Sequence, residues 1–193
     1  RLFPEMNKPH QACLYDVDPT VDPVTAGAEF QAAWRHVYAI AHPIAPNIVW
    51  DFSPGNDAFN DPNDNPLTLW QDFDPGTAYT DYTGSQVYNG SATSGLTIQT
   101  APRFTNFYAQ AATRGQPIYL SETGAIDNPG VVNDPQQRWF YSMSTQFSTQ
   151  YPLVVGIVVG DVNANGGDYR LTGDGETAFI NMAAKKNFSK MSP

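Results

Sequence analysis

The sequence predicts an α/β fold with a parallel sheet and crossover helices, on the rhythm of a (β/α)8 barrel. Three observations predict it. Short apolar runs alternate along the chain with stripes of helical period, the pattern of consecutive βαβ units. The strand-like runs centre near residues 3, 49, 86, 119 and 156, close to the roughly 30 residues plus loops of one barrel unit. No Gly-x-Gly-x-x-Gly turn follows any of them, which disfavours a nucleotide-binding sheet. Five strands fall short of the eight in a closed barrel, so an open, doubly wound sheet stays as the alternative.

The elements follow in order. Arg1 to Asn7 opens on a short apolar run. Phe30, Ala33, Trp34, Val37, Tyr38 and Ala41 form one apolar stripe, so a helix is expected there, ended by Pro43 and Pro46. Pro46 to Phe52 reads as a strand bounded by Pro and Gly. Asp81 to Tyr88 is a weaker strand. Pro102 suits a first helical turn, Phe104, Phe107, Tyr108 and Ala111 its buried face, and Gly115 its C-terminal cap. Pro117 to Ser121 is the next strand. Asp134-Pro135 opens a helix carrying Trp139, Phe140, Met143 and Phe147. Leu153 to Val159 is β-branched enough to predict burial on both faces. A last helix is expected from about Glu176 to Lys186, with Phe179, Ile180, Met182 and Ala183 on its apolar side.

Composition excludes several functions. The 193 residues carry a formal charge of −9 with no basic cluster, so a phosphate backbone is repelled and nucleic acid is not an expected partner. No run of about 18 apolar residues is present, so no membrane-spanning helix is expected. Aromatic content is 13%, enough for both a large core and a sugar-binding cleft. Cys13 is the only cysteine; a partner elsewhere and a buried thiol both remain open. Two sequons, at Asn89 and Asn187, mark candidate glycosylation sites and fit a secreted, extracellular protein.

Metal and serine chemistry find little support. Asp161-Val162-Asn163-Ala164-Asn165-Gly166 matches the opening of a calcium loop, but Thr172 stands where that loop needs a bidentate Glu. His10, His36 and His42 are scattered without ligand spacing. No Gly-x-Ser-x-Gly elbow occurs.

Carboxylates are the stronger signal. Only four glutamates occur in the chain. Glu5 and Glu122 each end a short apolar run and precede loop-forming residues. In barrels the chemistry sits at the C-terminal ends of strands, so both would face the same mouth. Two carboxylates there are what glycosidic hydrolysis requires, and a retaining pair stands about 5–5.5 Å apart.

Arg1-Leu2-Phe3-Pro4-Glu5-Met6-Asn7 resembles the fourth-strand motif of glycoside hydrolase family 26. Phe30 to Ser53 is similar to the helix and fifth strand that follow, Asp81 to Asn89 to the sixth strand, Leu120-Ser121-Glu122-Thr123-Gly124 to the seventh, and Val154 to Leu171 to the eighth strand and its exit. The resemblance implies that residues 1–193 are the C-terminal portion of one catalytic barrel, strands 4–8, acting as a retaining endo-β-mannanase or related β-glycan hydrolase without a cofactor or metal. It implies Glu5 as acid/base and Glu122 as nucleophile. Arg1, Asn7 and Tyr88 would then lie beside the substrate, with Trp50 and Trp70 as stacking platforms for sugar faces. Pro4 stands where the family has His, and Val159-Gly160-Asp161 where an aromatic often ends the eighth strand. The alternative reading is an inactive glycosidase-like domain with a structural or carbohydrate-binding role in an extracellular glycoprotein. A partial barrel leaves open sheet edges, so the chain is expected to need the N-terminal half of its barrel, or a neighbouring chain, to fold.

Overall fold

Every crossover in the sheet runs the same way. The structure, a computed structural model, describes Met6 and residues 23–59, 69–132, 134–164 and 166–185. Among these, helix α1 (Pro23–Ala41) leads to strand β1 (Asp51–Phe52), the short helix α2 (Trp70–Phe73) to β2 (Tyr82–Asn89), α3 (Pro102–Ala111) to β3 (Ile118–Ala125), and α4 (Pro135–Gln146) to β4 (Val154–Val159). A two-stranded antiparallel hairpin, β5 (Asn163–Ala164) with β6 (Gly167–Asp168), and helix α5 (Gly173–Ala183) complete the order.

β1 to β4 form one parallel sheet in the order β1-β2-β3-β4. Crossovers between parallel strands are right-handed. Sequential order therefore puts the connecting helices on one face and leaves the other as the inside of a barrel. A doubly wound sheet reverses direction at a switch point, and none occurs among the described strands. That settles the alternative left open by the sequence.

The helical face holds the core. Trp34 on α1 meets Phe52 on β1 edge-on at 6.2 Å and donates its indole N–H to the Tyr79 carbonyl at 2.9 Å. Phe104 and Phe107 on α3 are fully buried. Trp139 on α4 reaches Thr123 Oγ1 on β3 at 3.0 Å, so Trp139 is core, as its helical stripe predicts. Phe140 packs against Phe179 of α5 at 5.4 Å.

Local chemistry explains the helix starts. Asp134 accepts from the Gln136 and Gln137 amides at 2.7 and 3.0 Å, and Pro135 fills the first turn of α4. An N-cap of this kind is worth about 1 kcal/mol. Asp134→Ala is expected to lower the melting temperature of the full-length protein by about 3 °C; an unchanged transition would contradict the capping role. Gly115, at φ 67°, takes the left-handed turn that joins the end of the α3 segment to β3.

Three expectations need correction. The strand over Pro46–Phe52 shrinks to Asp51–Phe52, because Ile48 and Val49 stay half exposed and have no core to enter. β4 is not buried on both faces: Val158 is 45% exposed on the inner face of this edge strand. α5 begins at Gly173 and leaves Ile180 exposed and Met182 buried. The sequence matching a calcium loop forms part of the β5–β6 hairpin instead, with Gly166 at φ 79° in the turn. Asp161 Oδ1 accepts from the Leu171 amide, and no cluster of three or more metal-ligating side chains occurs among the described residues.

Candidate active site

The inner face of the sheet is polar, and a bulge in β3 determines what reaches it. Ser85 pairs with Leu120, but Gln86 pairs with Glu122, so β3 carries one extra residue, Ser121, at that point. Strict alternation would send Ser121 and Glu122 to opposite faces. The bulge turns both inward. Ser121 Oγ donates to Asp51 Oδ2 at 2.6 Å and accepts from Ser53 Oγ at 2.9 Å. Glu122 Oε2 accepts from the Tyr88 hydroxyl at 3.4 Å. Thr123 then faces the helices, where it meets Trp139. Glu122 thus lies within β3, which runs on to Ala125, and not at its end as the sequence suggests.

Glycines make room for tyrosines on this face. A β-carbon on Gly156 would fall 2.2 Å from the Tyr119 ring. One on Gly124 would fall 3.0 Å from the Tyr88 ring, and one on Gly160 2.6 Å from the Tyr88 hydroxyl. Tyr88 is therefore seated over two glycines, with Tyr169 edge-on at 5.2 Å. Tyr119 stacks on Tyr82 at 5.8 Å. Burial pushes the Tyr119 hydroxyl pKa up, and the Asp51 carboxylate pushes it further. Beyond β6, the Arg170 side chain, aided by its own backbone amide, holds the Asp168 carboxyl down at about 2. That pair is exposed, so it adds little to stability.

Gly160→Ala tests the seat of Tyr88. The added methyl cannot coexist with the hydroxyl at 2.6 Å, and the Gly124 and Tyr169 contacts limit where the ring can move. The expected result is a crystal structure in which the Tyr88–Glu122 contact exceeds hydrogen-bond range. A variant that keeps this bond at its present length would refute the seating argument.

Of the expected site residues, the structure brings Glu122 and Tyr88 together. Trp50 and Trp70 go elsewhere. Both are nearly buried, at 6% and 7% exposure. Trp50 packs against Trp34 and Tyr38, while Trp70 stacks on Phe59 and bonds Gln110 Oε1 at 2.8 Å. Neither indole presents a face to a sugar. Asn89 is also buried, at 1% exposure, with Oδ1 accepting from the Ser94 hydroxyl. Its amide nitrogen is enclosed, so a glycan has no room there in this fold. Glu5, Arg1, Asn7, Cys13 and Asn187 lie outside the described residues.

Sequence reasoning missed Asp51, Ser53, Ser121 and Tyr169. The available signal was Ser121-Glu122, two polar residues side by side in an apolar strand. Its meaning depends on a bulge that no pattern of the sequence announces.

Solved structures share this architecture. The catalytic domain of the Bacillus sp. JAMB-750 GH26 endo-β-1,4-mannanase aligns with a TM-score of 0.61 at 16% identity, over 96% of this chain and 49% of that one. The modular endo-β-1,4-mannanase of Cellulomonas fimi, a glycoside hydrolase family 26 enzyme, gives 0.58 at 16% identity, over 96% and 40%. Bacillus subtilis mannanase BCman gives 0.55 at 16% identity, over 92% and 45%. The fold is part of a (β/α)8 barrel, like that of these enzymes. The chain spans less than half the length of each of these structures. No family model and no curated protein matches it by sequence.

Proposed function

We propose that this chain is the C-terminal portion of a catalytic barrel that hydrolyses a β-linked polysaccharide, mannan or a related β-glycan, with retention of configuration. The observation that carries the reading is the inward turn of Glu122 at the β3 bulge, with the Tyr88 hydroxyl donating to it. The structural likeness to endo-β-1,4-mannanases supports the substrate class.

In this mechanism Glu122 attacks the anomeric carbon. A carbon–oxygen ester bond forms as the glycosidic bond breaks, and Glu5 passes its proton to the leaving oxygen. Water then attacks the glycosyl-enzyme, Glu5 takes the water proton, and Glu122 leaves as a carboxylate. Tyr88 holds one carboxylate oxygen so that the other faces the sugar. Arg1 would add a charged hydrogen bond to the same group. No cofactor enters the scheme. The natural setting would be extracellular, where the polysaccharide is found; among the described residues no helix is long and apolar enough to cross a membrane.

Two observations favour the alternative, an inactive domain that binds glycan or serves a structural role. Trp50 and Trp70 are buried, and Val159-Gly160 ends β4 without an aromatic side chain. The two readings separate in a single assay. Full-length protein is incubated with β-mannan and with mixed-linkage β-glucan, and new reducing ends and their first-formed anomer are followed. Reducing ends released with the β configuration support the hydrolase. Glycan binding with no release supports the alternative.

A further inference from the structure

We propose that Ser121 and Asp51 are positioning residues that fix the β3 bulge and so aim Glu122 at Tyr88. The catalytic consequence rests on Glu122 acting as the nucleophile; the geometric claim does not.

A bulge inserts one extra residue into a strand, and a one-residue slip flips every following side chain. Something must select the register that faces Glu122 inward. The backbone ladder skips one residue between the Ser85–Leu120 and Gln86–Glu122 pairs, so the skipped residue must be held by side-chain bonds. The Ser121 hydroxyl is at the interruption itself. Its bonds run to Asp51 Oδ2 at 2.6 Å and Ser53 Oγ at 2.9 Å, both on the β1 segment, two strands away.

That reach across β2 is open only because Gly84 lies between. A β-carbon on Gly84 would fall 2.2 Å from Ser121 Oγ and 2.3 Å from Asp51 Oδ1. Asp51 is 8% exposed and Ser53 is fully buried. A carboxylate so nearly buried is costly to keep in a fold. In water the Ser121–Asp51 bond would be weak. Here, water is largely excluded, and the bond is short and charge-assisted. It holds Ser121 as the residue left out of the ladder, so that pairing resumes with Glu122 opposite Gln86 and Glu122 also faces inward.

The test uses full-length protein labelled with ¹³C at the glutamate side-chain carboxyl carbon, the Glu122 signal being assigned by its loss in Glu122→Gln. In Ser121→Ala this signal is expected to move as far as it does in Tyr88→Phe. In Asp51→Asn, which keeps an oxygen for the Ser121 hydroxyl, it is expected to stay near its wild-type place. Asp51→Ala reads the same contact from the other end, should Ser121→Ala fail to fold. On β-mannan the two alanine variants are expected to lose kcat roughly a hundredfold and to hold KM within about twofold. An unmoved Glu122 signal in the alanine variants overturns the proposal, whatever the activity. A moved signal in a protein whose wild type is inert on β-glycans upholds the positioning and sinks the hydrolase reading instead.

Discussion

Glu122→Gln in the full-length protein is expected to lower hydrolysis of β-mannan at least about a thousandfold, with folding and glycan binding retained. The substitution is nearly isosteric. The Gln side-chain oxygen still accepts from the Tyr88 hydroxyl, so the contact at 3.4 Å can persist. What disappears is the carboxylate that, in the proposed mechanism, bonds to the anomeric carbon, and an amide does not replace it. The loss should therefore fall on kcat, with KM little changed, because the ground-state sugar meets a group of the same shape. The measurement is reducing-end release alongside glycan binding, for wild type and variant in parallel. Equal hydrolysis would remove Glu122 from the mechanism. Equal inertness with glycan still bound would leave only the non-catalytic reading.

Arg114→Met is expected to lower the stability of the protein by about 3 kcal/mol, seen as a fall of about 10 °C in melting temperature. Arg114 follows α3 and is 3% exposed along its side chain. Its guanidinium makes two bonds to Asp74, at 3.2 Å to Oδ2 and 2.7 Å to Oδ1, and two more to Thr83 Oγ1 at 2.5 Å and Thr80 Oγ1 at 3.1 Å. It also lies 5.0 Å from the centre of the Phe52 ring. Burial lowers its pKa, while the Asp74 charge and hydrogen bonds oppose the shift. Methionine fills the space but strands the Asp74 carboxylate and the buried Thr83 hydroxyl. Asp74 is 22% exposed, so part of its charge is relieved by water and the cost sits at the low end for a broken buried pair. The double variant Arg114→Met with Asp74→Leu should recover most of the loss, since no lone charge remains. A single variant within about 1 kcal/mol of wild type would show that the cluster does not tie the sheet together.

Much of the fold was legible because it rests on local rules. Asp134-Pro135 reads as a helix start, and both residues act as one. The stripe from Phe30 to Ala41 reads as a helix, and its Trp34 and Phe30 are fully buried. Leu153 to Val159 reads as a strand from its β-branched run. Its edge position was not legible, because sequence measures apolarity while exposure depends on the neighbour. Trp70 misled for a related reason. The polar residues around it suggest a solvated loop, yet a four-residue helix turns the indole inward against Phe59. Asn89 reads as a glycan acceptor in a one-dimensional motif, and the end of β2 encloses it.

The sequence by itself determined that this is an α/β chain of parallel strands and crossover helices, with Glu122 on one of those strands. Period and turn chemistry act over a few residues, so they survive in a linear reading. Tertiary structure alone decided the sequential strand order, which makes the sheet barrel-like, and the face that Glu122 occupies. Strand alternation would have separated Ser121 from Glu122. An extra residue in β3, the gap at Gly84 and the reach of Ser121 to Asp51 bring both inward. These are contacts between residues 34 to 70 positions apart. No local pattern encodes them, because each depends on what the neighbouring strands leave empty.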